Sequence, residues 1–121
     1  MRLGLVIALG SGLGGLLRYL VALAWRGQFP AGIPIATLTV NLLGSLLFGL
    51  LASRQTHAPM PDPLYLGLTT GILGGFTTYS SFNGELVRML VDGHTLRAMA
   101  YASLTGVSCL IGGGLGWMLG K

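Results

Sequence analysis

The sequence predicts an all-α membrane protein with four transmembrane helices per subunit, and three observations lead to that class. Of the 121 residues, 52% are hydrophobic and only 8% are charged, whereas soluble domains carry about 25% charged residues. A soluble chain of this length could not bury so much apolar surface. The 21 glycines suit close helix packing in lipid. Four apolar stretches fill the chain, so we expect a single transmembrane domain over residues 1–121.

The four predicted spans cover residues 3–25, 33–53, 64–91 and 96–119. Each is long enough, because a transmembrane helix needs roughly 20 apolar residues. The loops between them are short and contain proline or an Asp-Gly turn. The first stretch also has the length of a signal peptide, but Arg18 interrupts its apolar region, which favours a retained span.

The third span contains the most informative stretch, residues 71–82, which carries three glycines, four Thr or Ser residues and interleaved aromatics. In lipid every backbone N–H and C=O needs an internal partner, so non-helical backbone persists only where it is buried or lines a wet cavity. We therefore predict a helix break at residues 74–80 and an ion or substrate site beside it. Freed carbonyls suit a small cation, and half-helix ends and hydroxyls suit an anion.

The positive charges do not favour either orientation in the membrane. Three of them fall on the side of the N-terminus and three on the other: Arg2, Arg54 and Lys121 against Arg26, Arg88 and Arg97. Orientation follows the Lys/Arg bias of the loops, so a chain without bias is expected to insert both ways. We predict an antiparallel, dual-topology homodimer with two-fold symmetry. A single topology fixed by a small bias or by a partner protein is the alternative.

Polar residues recur at helical spacing in two of the spans. The stripes are Thr37, Asn41 and Ser45 in the second span, and Tyr101, Thr105 and Ser108 in the fourth. Positions three and four apart share a helix face, so both stripes are candidate walls of a narrow polar pathway. Hydrogen bonding between helices or back to the helix's own carbonyls is the structural alternative.

Two charged residues also lie in or near the spans. Arg18 is a candidate for attracting anions at a vestibule, since a charge within a span is costly; anchoring at the interface is the structural alternative. Glu85 precedes Arg88 by three positions, which predicts a surface ion pair on one helix near the interface; a proton relay is the alternative.

Several function classes are disfavoured. The G-x-G-x-x-G pattern at residues 10–15 lies in a continuous apolar helix, so we interpret it as helix packing and not as a dinucleotide site. The single cysteine, Cys109, excludes an internal disulfide. Lys and Arg are scattered, which does not indicate nucleic acid. No nucleophile–base pair is visible, so we do not expect an enzyme.

At three motifs the sequence resembles the Fluc, or CrcB-type, fluoride channels. These motifs are residues 14–19, residues 39–45 and, most specifically, residues 74–82. The resemblance covers nearly the whole chain. It implies an antiparallel dual-topology homodimer of four-helix subunits, with two fluoride pathways and a structural sodium ion at the dimer interface.

The resemblance also implies roles for individual residues. The backbone carbonyls of Gly74 and Thr77 from both subunits would bind the sodium ion. The fluoride pathway would be formed by Asn41, the ring pair Tyr79 and Phe82, the hydroxyls of Ser80 and Ser81, and the fourth-span residues Tyr101 and Thr105. Tyr79 stands where the family usually has Phe, and Cys109 stands where a hydroxyl is common.

The implied function is passive export of fluoride from the cytoplasm through the bacterial inner (plasma) membrane, which relieves fluoride toxicity. A small proton-coupled multidrug exporter is the alternative, but it needs a membrane-embedded carboxylate and the first span has none. A non-transporting assembly subunit would leave the polar stripes and the broken helix without a use.

Overall fold

The computed structural model describes residues 2–121 and contains helices but no strand within that range. Three continuous helices are long and apolar enough to cross a membrane. The all-α membrane class predicted from composition is therefore confirmed. The helices are α1 (Arg2–Ala24), α2 (Ile35–His57), α3 (Asp62–Leu66), α4 (Gly74–Phe76), α5 (Tyr79–Val91) and α6 (Thr95–Leu119).

The region of the third predicted span is built from four pieces and not from one helix. After the short α3, the backbone widens into a π-helical segment over Gly67–Leu73. The single turn α4 follows, then two extended residues, and then α5. π-Helical turns are uncommon and occur frequently at functional sites. The irregular backbone thus occupies the stretch that carries the glycines and hydroxyls.

Glycines of α1 let this irregular span approach closely. A Cβ added at Gly14 would collide with the carbonyl oxygen of Ile72, and one at Gly10 would lie 2.8 Å from the carbonyl oxygen of Gly67. Gly12 and Gly15, in contrast, face open space. The prediction that the glycine-rich pattern serves helix packing is confirmed, and the packing pair is the one spaced by four residues.

The most extensive contact between two helices joins α2 and α6. A Cβ at Gly49 would collide with the carbonyl oxygen of Gly113, and one at Gly116 would collide with that of Leu46. Small residues at such a crossing bring two backbones together, which supplies dispersion contacts where lipid offers no hydrophobic driving force. The closely packed pair α2 and α6 lies beside the irregular span.

Candidate functional site

The helix break lies at two residues, Thr77 and Thr78. Both have extended backbone, with φ −80° and ψ 158° at Thr77 and φ −151° and ψ 115° at Thr78. They fall inside the predicted range 74–80. Thr78 is also the N-cap of α5, since its side chain accepts a hydrogen bond from the backbone N–H of Ser81, a role that threonine fills well.

Asn41 on α2 holds the broken backbone in place. Its Nδ2 donates to the carbonyl oxygen of Thr78 at 3.0 Å, and its Oδ1 accepts from the N–H of Thr78 at 2.8 Å. One amide side chain therefore satisfies both polar groups of a residue that has left the helix. This matters in lipid, where an unsatisfied backbone group costs several kcal/mol. Asn41 keeps a second Nδ2–H that these two bonds do not use.

The break redirects the backbone N–H groups of Thr78 and Ser81, which in a continuous helix would donate to the carbonyl oxygens of Gly74 and Thr77. In a continuous helix each carbonyl accepts from the residue four positions later. Here the N–H of Thr78 donates to Asn41, and the N–H of Ser81 donates to the hydroxyl of Thr78. The carbonyls of Gly74 and Thr77 thus lose their regular donors. Carbonyl oxygens suit hard cations, so this donor set fits the ion that the sequence analysis expected there.

A small cluster of hydroxyls surrounds the start of α5. The Oγ1 of Thr78 donates to the Oγ of Ser81 at 3.1 Å and lies 3.3 Å from the Oγ of Ser80. Thr78 is buried, whereas both serines are exposed in the subunit. The buried threonine therefore orients two accessible hydroxyls at the end of a half-helix.

Glu85 joins three helices, which corrects the prediction of a surface pair with Arg88. Its Oε1 accepts from the hydroxyl of Thr37 on α2, and its Oε2 accepts from the hydroxyl of Tyr101 on α6, both at 2.7 Å. The carboxylate faces these two helices because each oxygen finds a hydroxyl donor there. Bonds to an ionised group are stronger than those between neutral partners.

Three aromatic rings lie in sequence beside the break. The ring centroid of Phe82 lies 6.0 Å from that of Tyr79 and 5.2 Å from that of Tyr101, the second contact being edge-on. Tyr79 is 76% exposed, whereas Tyr101 is completely buried. Phe76 is buried, and the extended residues Thr77 and Thr78 interrupt the helical register between it and Tyr79.

The polar residues of α6 differ in whether their side chains are already hydrogen-bonded within the subunit. Ser108 donates to the carbonyl oxygen of Thr105, which is the structural alternative expected for a helical serine. Thr105 is buried, and its Oγ1 has no hydrogen-bond partner among the described residues. Cys109, one turn further on, is partly exposed. Thr105 and Cys109 are the members that leave polar capacity open.

An open groove of about 830 Å³ runs along one side of the break. Its walls include most of the predicted pathway and cation residues, namely Asn41, Gly74, Thr77, Tyr79, Phe82 and Thr105, and Cys109 lines it as well. Ser45 of the second polar stripe lines the groove too. The structure thus brings together residues from α2, the broken span and α6.

A second cavity, of about 360 Å³, lies on the other side of Thr78, which is the one residue that lines both spaces. Arg18, Thr37, Ser81 and Glu85 line this second cavity. Arg18 is half-buried there. The N-cap role of Thr78 was not predicted from the sequence, and the interpretation favoured for Glu85 was a structural ion pair. A hydroxyl directly before a restarting helix signals an N-cap, and a carboxylate within a span signals a functional site.

Comparison with known proteins identifies the family. The family model described as "CrcB-like protein, Camphor Resistance (CrcB)" matches residues 5–117. A protein of Sorangium cellulosum named fluoride-specific ion channel FluC is 38% identical over 116 residues, covering 95% of this chain and 91% of its own length. Proteins of the same name from Ruminiclostridium cellulolyticum (41% identity, 96% and 92% covered) and Thermus thermophilus (42%, 81% and 78%) also match. The chain belongs to the CrcB-like protein family.

Proposed function

We propose that this protein is a fluoride-selective ion channel that releases fluoride passively from the cytoplasm. The observation that carries the proposal is the hydrogen-bonded break at Thr77 and Thr78, which presents hydroxyls, an amide and ring edges within the third predicted span. Family membership supports it, since the matching relatives are named fluoride-specific ion channels. Those relatives give no support to proton-coupled drug export. As a channel, the protein would not be an enzyme.

Fluoride is small and strongly hydrated, so a pathway must replace its water with close donors. The groups with free donor capacity are the second Nδ2–H of Asn41 and the hydroxyls of Ser81, Tyr79 and Thr105. The positive ring edge of Phe82 adds a further favourable surface. These groups lie along the groove or at the start of α5, which gives an anion successive contacts instead of one deep trap.

Tyr101 and Thr37 enter this pathway through Glu85. Each hydroxyl has one proton, and both protons are donated to the carboxylate. Neither hydroxyl can therefore donate to fluoride unless it leaves Glu85. We infer that the Tyr101 hydroxyl donates in turn to the carboxylate of Glu85 and to the passing ion. The hydroxyl of Thr37 meanwhile keeps the carboxylate in position.

A second copy of the chain would complete the pathway. The groove is open along the subunit, and Tyr79 on its wall is mostly exposed. An exposed aromatic and polar groove requires a cover within a membrane. The balanced positive charge of the chain supports an antiparallel arrangement. Tags at each end, tested for accessibility in intact cells, should be reachable from both sides; one orientation for all molecules would exclude the antiparallel dimer.

A sodium ion at the interface would use the carbonyls of Gly74 and Thr77 from both subunits. Its support is that both carbonyls have lost their helical donors and line the groove that the second copy would cover. Because the four carbonyl oxygens carry no formal charge, the bound sodium ion would keep its positive charge and would add positive potential for the anion. Exchanging sodium for a much larger cation such as N-methylglucamine should slow fluoride flux, and equal flux in both media would argue against the ion.

Fluoride efflux from liposomes containing only this protein tests the proposed function directly. Vesicles loaded with equal fluoride and chloride should release fluoride rapidly and chloride negligibly, as followed with ion-selective electrodes. Protein-free vesicles give the background. Fluoride release at background level from folded protein, or equal release of both ions, would overturn the proposal. In the cell, the expected location is the inner membrane of a bacterium, because the relatives that match come from bacteria.

A further inference from the structure

The cavity beside α1 contains an unusual balance of charge for a space enclosed by membrane helices. Its lining residues include Arg18, Arg26 and Glu85, and the other lining residues are formally neutral. The formal charge of the lining is therefore +1, from two positive groups and one negative group. Both oxygens of that carboxylate already accept hydrogen bonds from hydroxyls.

The two arginines lie at different depths. Arg18 is half-buried on α1, whereas Arg26 follows the end of that helix and is exposed. Arg26 is held in a defined turn, because its N–H donates to the carbonyl oxygen of Leu23 and Gly27 adopts a positive φ of 75°. Gly27 makes this turn possible, since it has no Cβ. The turn thus fixes the backbone of Arg26 just beyond the end of α1, whereas Arg18 lies within the helix.

We propose that Arg26 is an anion-capturing residue at the mouth of this cavity, which raises the rate at which fluoride enters. This inference rests on the proposed function and adds a residue to which that function assigns no role. Charged clefts with low-dielectric walls concentrate ions of opposite sign and accelerate their entry. The effect acts through the potential, so it needs the positive charge of Arg26 and not a specific contact. Selectivity is set further along the pathway and is independent of this residue.

The alternative role for Arg26 is structural. A cation after the last turn of a helix interacts favourably with the helix dipole. Arg54 provides a matched control, because it lies in the last turn of α2, is exposed, and lines neither of the two cavities described above. Replacing each arginine by glutamine removes the same charge from the same kind of helix end. Only the change at Arg26 alters the cavity.

The experiment measures initial fluoride efflux from liposomes at low fluoride, with equal amounts of folded protein. At an ionic strength of about 10 mM, where charges act over roughly 30 Å, Arg26→Gln should slow efflux about two- to fivefold. In about 1 M impermeant salt, where the screening length is roughly 3 Å, its rate should match that of the wild type. Arg26→Lys should keep the wild-type rate, and Arg54→Gln should show no salt-dependent loss.

Three outcomes would overturn the inference. Arg26→Gln could keep the wild-type rate at low salt, its loss could persist in high salt, or Arg26→Lys could be as slow as Arg26→Gln; the last two results assign a structural role. If Arg26→Gln does not fold, Arg26→Ala removes the same charge and is measured in its place under the same two salt conditions. Wild-type protein without fluoride flux would reject the proposed function itself, which is a different result from each of these.

Discussion

The crossing of α2 with α6 and the break after α4 hold their backbones together in opposite ways. At the crossing, Gly49 and Gly116 bring backbone against backbone, and the contact depends on the absence of side chains. At the break, the backbone is kept in place by side chains, above all by the two bonds of Asn41 to Thr78. The difference teaches that added side-chain volume should destabilise the crossing of α2 with α6. Loss of side-chain hydrogen bonds should instead disturb the break.

The largest expected effect breaks the crossing. A Cβ at Gly116 would collide with the carbonyl oxygen of Leu46, whereas Gly114 on the same helix faces open space. Both changes to alanine gain the same helix propensity, so their difference isolates the collision. Gly116→Ala should lower the free energy of unfolding by about 2–4 kcal/mol relative to Gly114→Ala, measured by denaturant unfolding in micelles. Equal stability of the two variants would contradict a packing role for Gly116.

The next largest effect is expected when the side chain that holds the break is removed, and it should appear mainly as a lower rate of fluoride efflux. Asn41→Ala leaves the N–H and C=O of Thr78 without their partner, at about 1–3 kcal/mol for each buried group. We expect fluoride efflux to fall by about tenfold or more while the protein still folds, since α2 and α6 keep their contact. Asn83→Ala makes the same change at an exposed residue of α5 that lines neither the groove nor the second cavity, so it is the control and should stay near the wild-type rate. Wild-type flux in folded Asn41→Ala would remove this residue from the site.

A smaller effect measures how far side chains couple the helices around the break. Removing the carboxylate of Glu85 or the hydroxyl of Tyr101 breaks the same hydrogen bond, so the changes Glu85→Met and Tyr101→Phe should not be additive. A double-mutant cycle on unfolding should give a coupling of about 1–2 kcal/mol. Ser108→Ala replaces Tyr101→Phe in the control cycle, because Ser108 bonds within its own helix. Additivity in the first cycle would argue against the contact.

The smallest effect tests the hydroxyl of Tyr79. Tyr79→Phe keeps the ring against Phe82 and removes one of several donors, so fluoride efflux should change by no more than about twofold, in line with the loss of a single exposed hydrogen bond. Tyr79→Ala removes the ring as well and should slow efflux much further. If the phenylalanine variant is as slow as the alanine variant, the hydroxyl and not the ring provides the contact.

The sequence was sufficient for the membrane class, and the glycine spacing of α1 predicted its packing, because these features depend on local composition and helical periodicity. The range of the break was predictable too, since glycines and hydroxyls within an apolar span have few other uses. The hydrogen-bond partners of Glu85 could not be predicted from the sequence. The carboxylate lies three positions from Arg88 along its own helix, and the hydroxyls that bind it come from 48 and 16 residues away. Only the packing of three helices decides between such options.

The π-helical segment has a consequence for how the third span meets α1. Gly67, Gly71 and Gly75 are spaced by four, and each contacts α1. In an α-helix of 3.6 residues per turn, positions four apart drift steadily around the axis; the wider π turn drifts the other way and keeps the three in line. The π-helical segment therefore adjusts the rotation of the third span about its axis, so that its glycines face α1 before the break begins. A one-residue deletion within Gly67–Leu73 would act as a rotation, turning Thr78 away from Asn41 while leaving the span almost as long.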